Sequence, residues 1–336
     1  MKYAKLGNSG LKVSPICLGA MIFGNQTSTN VAAKIINTAR DAGVNFIDTA
    51  ESYTKGERKR ILSKLTQLDR HDWVIATELG GKAIGDGLNQ RRLSRAWMMD
   101  AIDGSLKRIG TDYVDIYYLH RADPTTPLRE TITAMGDLIR AGKVRYWGFS
   151  NFRAWKIPAM INLCDELNVP RPVISQPFYN ALYRVAEFEY IPACHEYGVG
   201  VVPYSTLARG VLTGKFGTNV QQAKNTKRGA VEQDTYAAVC TSDALRIAQK
   251  VKKRAEAQGM TAGHLALNWV LNNDAVPSLV AGPRTLSHWK DYLAALKHNY
   301  PAEDEVFFDA LAPSCYPFNI GYHDQKDPPL GRFSQV

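Results

Sequence analysis

Two periodicities take turns along this chain. Short apolar runs of strand length are followed, repeatedly, by stretches with apolar residues at helical spacing. Residues 1–13 carry Gly7, Asn8, Ser9 and Gly10 between short alternating segments, which predicts a hairpin with a glycine-rich turn. Strands are then expected over 14–19, 44–47, 73–77, 113–119, 144–149, 173–175, 199–203 and 276–281. Helices are expected over 31–42, 57–68, 94–109, 128–141, 153–167, 186–197, 242–258, 261–272 and 286–296, with Gly43, Gly142 and Gly198 as C-terminal stops and Ser94 as an N-cap. Residues 214–233 are polar and lack a clear period. Eight strands, most followed by a helix, imply an α/β protein with a parallel sheet under helices. Its size fits a (β/α)8 TIM barrel of roughly 250 residues plus extensions. A doubly wound sheet would want a Gly-x-Gly-x-x-Gly turn after its first strand, and none is present. No break in composition divides the 336 residues, so one domain, 1–336, is expected, with a Pro-, Gly- and aromatic-rich tail from Pro313 looping over the barrel mouth.

Composition narrows the function classes. The net charge is +9 and the pI near 9.2, but Lys and Arg are scattered. That favours a phosphate-bearing small molecule, or plain solubility, over nucleic acid. The five cysteines (Cys17, Cys164, Cys194, Cys240 and Cys315) are widely spaced and include no Cys-x-x-Cys, which suggests reduced thiols and neither a disulfide framework nor a metal site. The N-terminus has no signal-like apolar core, and no run reaches the length of a membrane span, so a cytoplasmic protein without a membrane partner is expected. Oligomeric state is not legible.

Candidate chemistry collects where barrel enzymes place it, at the C-terminal ends of the strands. Read in order, those ends carry Met21, Asp48, Glu78, His120, Ser150, Asn151, Gln176, Tyr204, Ser205 and Arg284. Asp48, with Tyr53 five residues on, reads either as a proton-donating pair or as an ordinary strand end with a surface tyrosine. Packing alone explains polar loops, but not why His, Asn and Gln stand at the ends of inner strands. Phe23, Trp97, Trp155, Phe178 and Tyr183 could wall an apolar pocket, although core packing is the commoner role of such residues.

Taken together, Asp48-Thr49-Ala50 with Tyr53, Ser105-Leu106-Lys107-Arg108, Asp112-Tyr113-Val114-Asp115, Leu119-His120, Gly142-Lys143-Val144-Arg145, Gly148-Phe149-Ser150-Asn151, Tyr204-Ser205, Gly210 through Lys215 and Gly282-Pro283-Arg284-Thr285 resemble the aldo-keto reductase family over nearly the whole chain. They are similar to its bacterial and channel-subunit-like branch. The resemblance implies a barrel that binds NADP(H) and reduces an aldehyde or ketone to an alcohol, or the reverse. It implies Tyr53 as general acid, His120 as the residue orienting the carbonyl, and Asp48 organising the network behind Tyr53. Ser150, Asn151 and Gln176 would hold the nicotinamide carboxamide, and Tyr204 would stack on its ring. Arg284 would take the 2′-phosphate, Arg209 and Lys215 the pyrophosphate path, and Asp291 the adenine. Met21, Asp48, Ser205 and Gly282 complete the cofactor set. His288 stands where related sequences often carry Gln.

One departure stands out. The family places a catalytic Lys at the end of the third strand, and here Ala76-Thr77 is followed by Glu78. An ammonium near a phenol favours phenolate, whereas a carboxylate favours the neutral phenol. Three explanations stay open. Lys82 replaces the missing charge; a protonated Glu78 acts as donor in altered chemistry; or the protein is a weak or inactive enzyme that still binds cofactor. The last fits a cofactor-binding or redox-sensing subunit with weak or no turnover. A nucleic-acid binder rests on net charge alone.

Overall fold

The computed structural model describes residues 1–50, 67–80, 92–221 and 238–312. A short antiparallel hairpin, β1 (Ala4–Lys5) and β2 (Lys12–Val13), leads into β3 (Ile16–Gly19). Then come α1 (Thr29–Asp41), β4 (Phe46–Ala50), β5 (Val74–Leu79), α2 (Arg95–Ile109), β6 (Val114–Leu119), α3 (Leu128–Arg140), β7 (Val144–Ser150) and α4 (Lys156–Glu166). The second half holds β8 (Ile174–Gln176), α5 (Tyr190–Glu196), β9 (Gly200–Val201), α6 (Ser242–Ala257), α7 (Ala262–Leu271), β10 (Leu279–Ala281), α8 (Leu286–Ala295) and α9 (Ala302–Leu311).

Strands β3 to β10 form an eight-stranded parallel sheet in the order β10-β3-β4-β5-β6-β7-β8-β9. Its two ends meet, because Val280 N–H donates to Pro203 O at 2.9 Å. The sheet is therefore a (β/α)8 barrel, as the alternation of periods implied. Alternate residues point inward. Cys17, Phe46, Val74, Ala76, Ile116, Tyr118, Ile174 and Val202 fill the interior, and Leu6 and Val13 of the hairpin pack against them as a plug at the N-terminal end. Gly7 makes that plug possible. Its φ is +53°, and a Cβ there would lie 2.4 Å from Gly198 O. A larger apolar layer lies between the strands and the surrounding helices.

Several boundaries differ from expectation. β4 runs through Asp48 to Ala50 and β5 through Glu78 to Leu79, so both acids sit inside strands and not beyond their ends. The helix expected over 186–197 is a 3-10 turn, Val185–Glu187, then α5, with Glu189 at φ −136° between them. The last strand starts at Leu279, since Pro277 has no N–H for the ladder. Helix α9 was not foreseen. Pro301 starts it, and Glu303, Asp304 and Glu305 suit the positive end of its dipole. Ser94 caps α2 as expected. Most of the helix expected over 57–68, the glycine-rich loop around Lys82 and the tail from Pro313 lie outside the described residues, and Gln67–Asp72 is a kinked 3-10 segment.

Candidate active site

Inward parity sets the site. Asp48 stands two residues after Phe46, Glu78 two after Ala76 and Tyr118 two after Ile116. His120, Gln176 and Tyr204 follow Tyr118, Ile174 and Val202 in the same way, so a polar layer rests directly on the apolar plug. Glu78 is paired in register with Ala50, one inward step above Asp48.

Within this layer Glu78 Oε2 lies 2.9 Å from Nδ1 of His120. The contact is close, but its alignment is not that of a hydrogen bond, and neither atom has another partner among the described residues. Gln176 Nε2 points at Asp48 Oδ2 from 3.5 Å. Asp48 is held well above the usual carboxylate range, first by burial and then by the charge of Glu78, with Gln176 pulling the other way. A buried carboxyl beside a second acid keeps its proton more readily than an exposed one, and Asp48 is so placed. Burial, reinforced by Asp48, also keeps the Cys17 thiol and the Tyr118 phenol neutral.

A second network joins the strand ends. Asn151 Nδ2 donates to His120 O at 3.0 Å and to Ser150 Oγ at 2.8 Å. Ser150 Oγ donates to Gln176 O at 2.7 Å, and Tyr204 OH donates to Asn151 Oδ1 at 3.0 Å. Asn180 Nδ2 donates to Ser205 O at 3.2 Å. Asn151, Ser205, Ala208 and Arg209 all have positive φ, between 48° and 60°. Strained backbone of this kind concentrates at functional sites.

Around the edge of the mouth, Thr285 caps α8 and accepts from His288 N–H at 3.2 Å. Thr27 Oγ1 donates to Arg284 O at 3.0 Å, which fixes the approach to that helix. His288 is held below its ordinary pKa by partial desolvation, then by the charges of Arg284 and Lys215. A helix N-terminus with two cations beside it is suited to an anion. Asp291, three residues further along α8, also acts on His288 and pulls its pKa the other way. Its Oδ1 lies 2.8 Å from Nε2 of His264, whose Nδ1 lies 3.1 Å from Nε2 of His298.

Of the expected residues, Asp48, Glu78, His120, Ser150, Asn151, Gln176 and Tyr204 are thus brought into one connected group. Lys215 and Arg284 meet beside α8, and Arg209 lies in the strained turn between the two groups. Met21 is half-buried, in the turn that follows β3, and Gly282 is exposed just past β10. Tyr53 lies outside the described residues. Tyr118 and Cys17 were missed, although strand alternation counted back from His120 would have found the first. Of the aromatics considered for an apolar wall, Phe23 and Phe178 are buried, Trp97 and Tyr183 partly so, and Trp155 is 69% exposed.

The Aldo/keto reductase family pattern matches residues 15–312. The chain belongs to the aldo/keto reductase family. Membership supports oxidoreductase activity in general. The chain is 37% identical over 289 residues to a probable voltage-gated potassium channel subunit beta of Oryza sativa subsp. japonica, covering 84% of this chain and 87% of that one. A protein of the same description in Arabidopsis thaliana is 35% identical over 311 residues, covering 88% and 91%. An aldo-keto reductase of Fusarium vanettenii is 32% identical, covering 92% of this chain and 90% of its own. No helix among the described residues is long and apolar enough to cross a membrane.

Proposed function

We propose that this aldo/keto reductase is an NADP(H)-dependent oxidoreductase that reduces an aldehyde or ketone to an alcohol, or runs the reverse reaction. The observation that carries the reading is the connected layer of Asp48, Glu78, His120, Gln176, Ser150, Asn151 and Tyr204 at the mouth of the barrel. The residues fit a nicotinamide dinucleotide. Amide and hydroxyl side chains offer the paired donors and acceptors that a carboxamide needs, and the basic cluster at the start of α8 suits a phosphate. When bound, the dinucleotide supplies or accepts a hydride. The chain's own residues then bind, orient and handle protons. His120 stands against Glu78, and Asp48, held above its usual range, keeps a proton in reserve. Tyr53 is the proposed general acid on the strength of the family resemblance.

A second reading follows from Glu78 and from the relatives described as potassium channel subunits. In it the chain binds NADP(H) but turns over slowly or not at all. Oxidation of NADPH by a panel of aldehydes, measured for the protein and for Glu78→Lys, separates the two. The enzyme reading expects turnover by the unmodified protein, changed at least severalfold by the substitution. Tight NADPH binding with no turnover of any aldehyde supports the subunit reading, and equal rates in both proteins rule out control by Glu78.

A further inference from the structure

We propose that the acceptor this site reduces best is a cation, an iminium carbon rather than a neutral carbonyl, seated against Asp48 and Glu78. The inference rests on the hydride-transfer reading above and concerns the chemical class of the substrate. Both carboxyls are nearly closed off from solvent, Asp48 at 5% and Glu78 at 3% exposure. One oxygen of each, Asp48 Oδ1 and Glu78 Oε2, has no hydrogen-bond partner among the described residues. No Lys or Arg among them pairs with either acid. The groups that face the pair are Cys17, Tyr118, Gln176 and His120. Asp48 Oδ1 is open and Glu78 Oε2 meets only Nδ1 of His120, at 2.9 Å, so this buried acid pair is a poor place to build an anion and a good place to hold a cation.

The two candidate reactions differ in this respect. Hydride addition to a carbonyl places growing negative charge on oxygen, beside carboxyls that repel it. An iminium arrives positive and builds no oxyanion. The new C–H bond forms at the iminium carbon, and the C=N π pair becomes a lone pair on nitrogen. The nicotinamide donor is oxidised by two electrons, so the step balances without a proton. The amine then takes a proton from water as it leaves the site and departs as an ammonium ion. Glu78, out of place for carbonyl reduction, is in place for this reaction.

The test pairs N-methyl-3,4-dihydroisoquinolinium, a permanent cation, with 1-tetralone, a neutral ketone of similar size. NADPH consumption is followed for the full chain and for Glu78→Gln, with Asp48→Asn as the second variant should the first not fold. The iminium is expected to exceed the ketone in kcat/KM by about tenfold or more, the size of a modest charge–charge interaction. Either substitution should level that ratio. A second readout needs no dinucleotide. N-Methyl-tetrahydroisoquinoline, protonated in solution, is titrated calorimetrically in two buffers of different ionisation enthalpy. Binding is expected to release a proton from Asp48 and to weaken about tenfold in Glu78→Gln. Ketone turnover with no preference for the cation overturns this inference and leaves the hydride-transfer reading standing. NADPH consumption with neither substrate overturns both.

Discussion

Asp48 carries the sharpest consequence at the scale of single residues. Its carboxyl titrates above its ordinary value of 3.8 because burial and Glu78 both oppose its charge. A folded-state pKa that is raised means the folded chain binds the proton more tightly than the unfolded one. Stability from this group is therefore full below pH 3.8 and is lost as pH rises towards the folded value. Asp48→Asn removes that loss. Thermal melts should show the variant on the order of a few °C more stable near pH 8 and indistinguishable near pH 4. A destabilisation near pH 8 that shrinks towards pH 4 would show that Asp48 is held as a charged, well-paired group instead.

At the scale of elements, two helix ends do different work. The start of α8 gathers Arg284, Lys215 and His288 around a capped N-terminus. If this is where a 2′-phosphate docks, Arg284→Ala should weaken NADPH by roughly tenfold and leave NADH nearly unchanged, since only one of the two carries the phosphate. Quenching of protein fluorescence by each dinucleotide measures both constants. Equal weakening of the two would move the phosphate elsewhere. The end of α9 is held by Arg184. Its Nε and Nη2 each donate to Glu187 at 2.9 Å, while Nη1 donates to Asp309 at 2.6 Å and to Ala312 O at 2.7 Å. Arg184 is 5% exposed, so removing it takes both guanidinium bonds from Glu187, which keeps the Tyr179 hydroxyl at 2.7 Å, and lifts the cation from the face of Trp269. Arg184→Ala should cost about 3 kcal/mol or more in urea unfolding. A loss under about 1 kcal/mol would make the cluster a solvated surface group.

For the molecule as a whole, the barrel was legible because strand and helix periods alternate over most of the chain, the polar stretch 214–233 and the two successive helices after it apart. The mouth was legible because His120, Ser150, Asn151 and Gln176 break the apolar pattern at the place where each strand gives out. Three things were not legible, each for a physical reason. Strands β4 and β5 continue through Asp48 and Glu78 because the two strands stay paired in register as far as Ala50 and Glu78, which local propensity does not report. Tyr118 reads as one aromatic among several until its inward parity is known. Helix α9 depends on distant partners, with Arg254 and Gln258 both donating to the fully buried Asp304 at 2.8 Å. The departure at Glu78 was visible in the sequence, and the structure adds its contact with His120.

Whether the barrel transfers hydride is decided most directly by a single-turnover label experiment. The protein is mixed with stoichiometric NADPH dideuterated at C4 of the nicotinamide and an excess of iminium or aldehyde, and the product is examined by mass spectrometry. One deuterium per molecule at the former C=N or C=O carbon is the predicted result. NADPH bound at stoichiometry with no deuterium in any product would contradict it and leave a cofactor-binding protein without hydride chemistry.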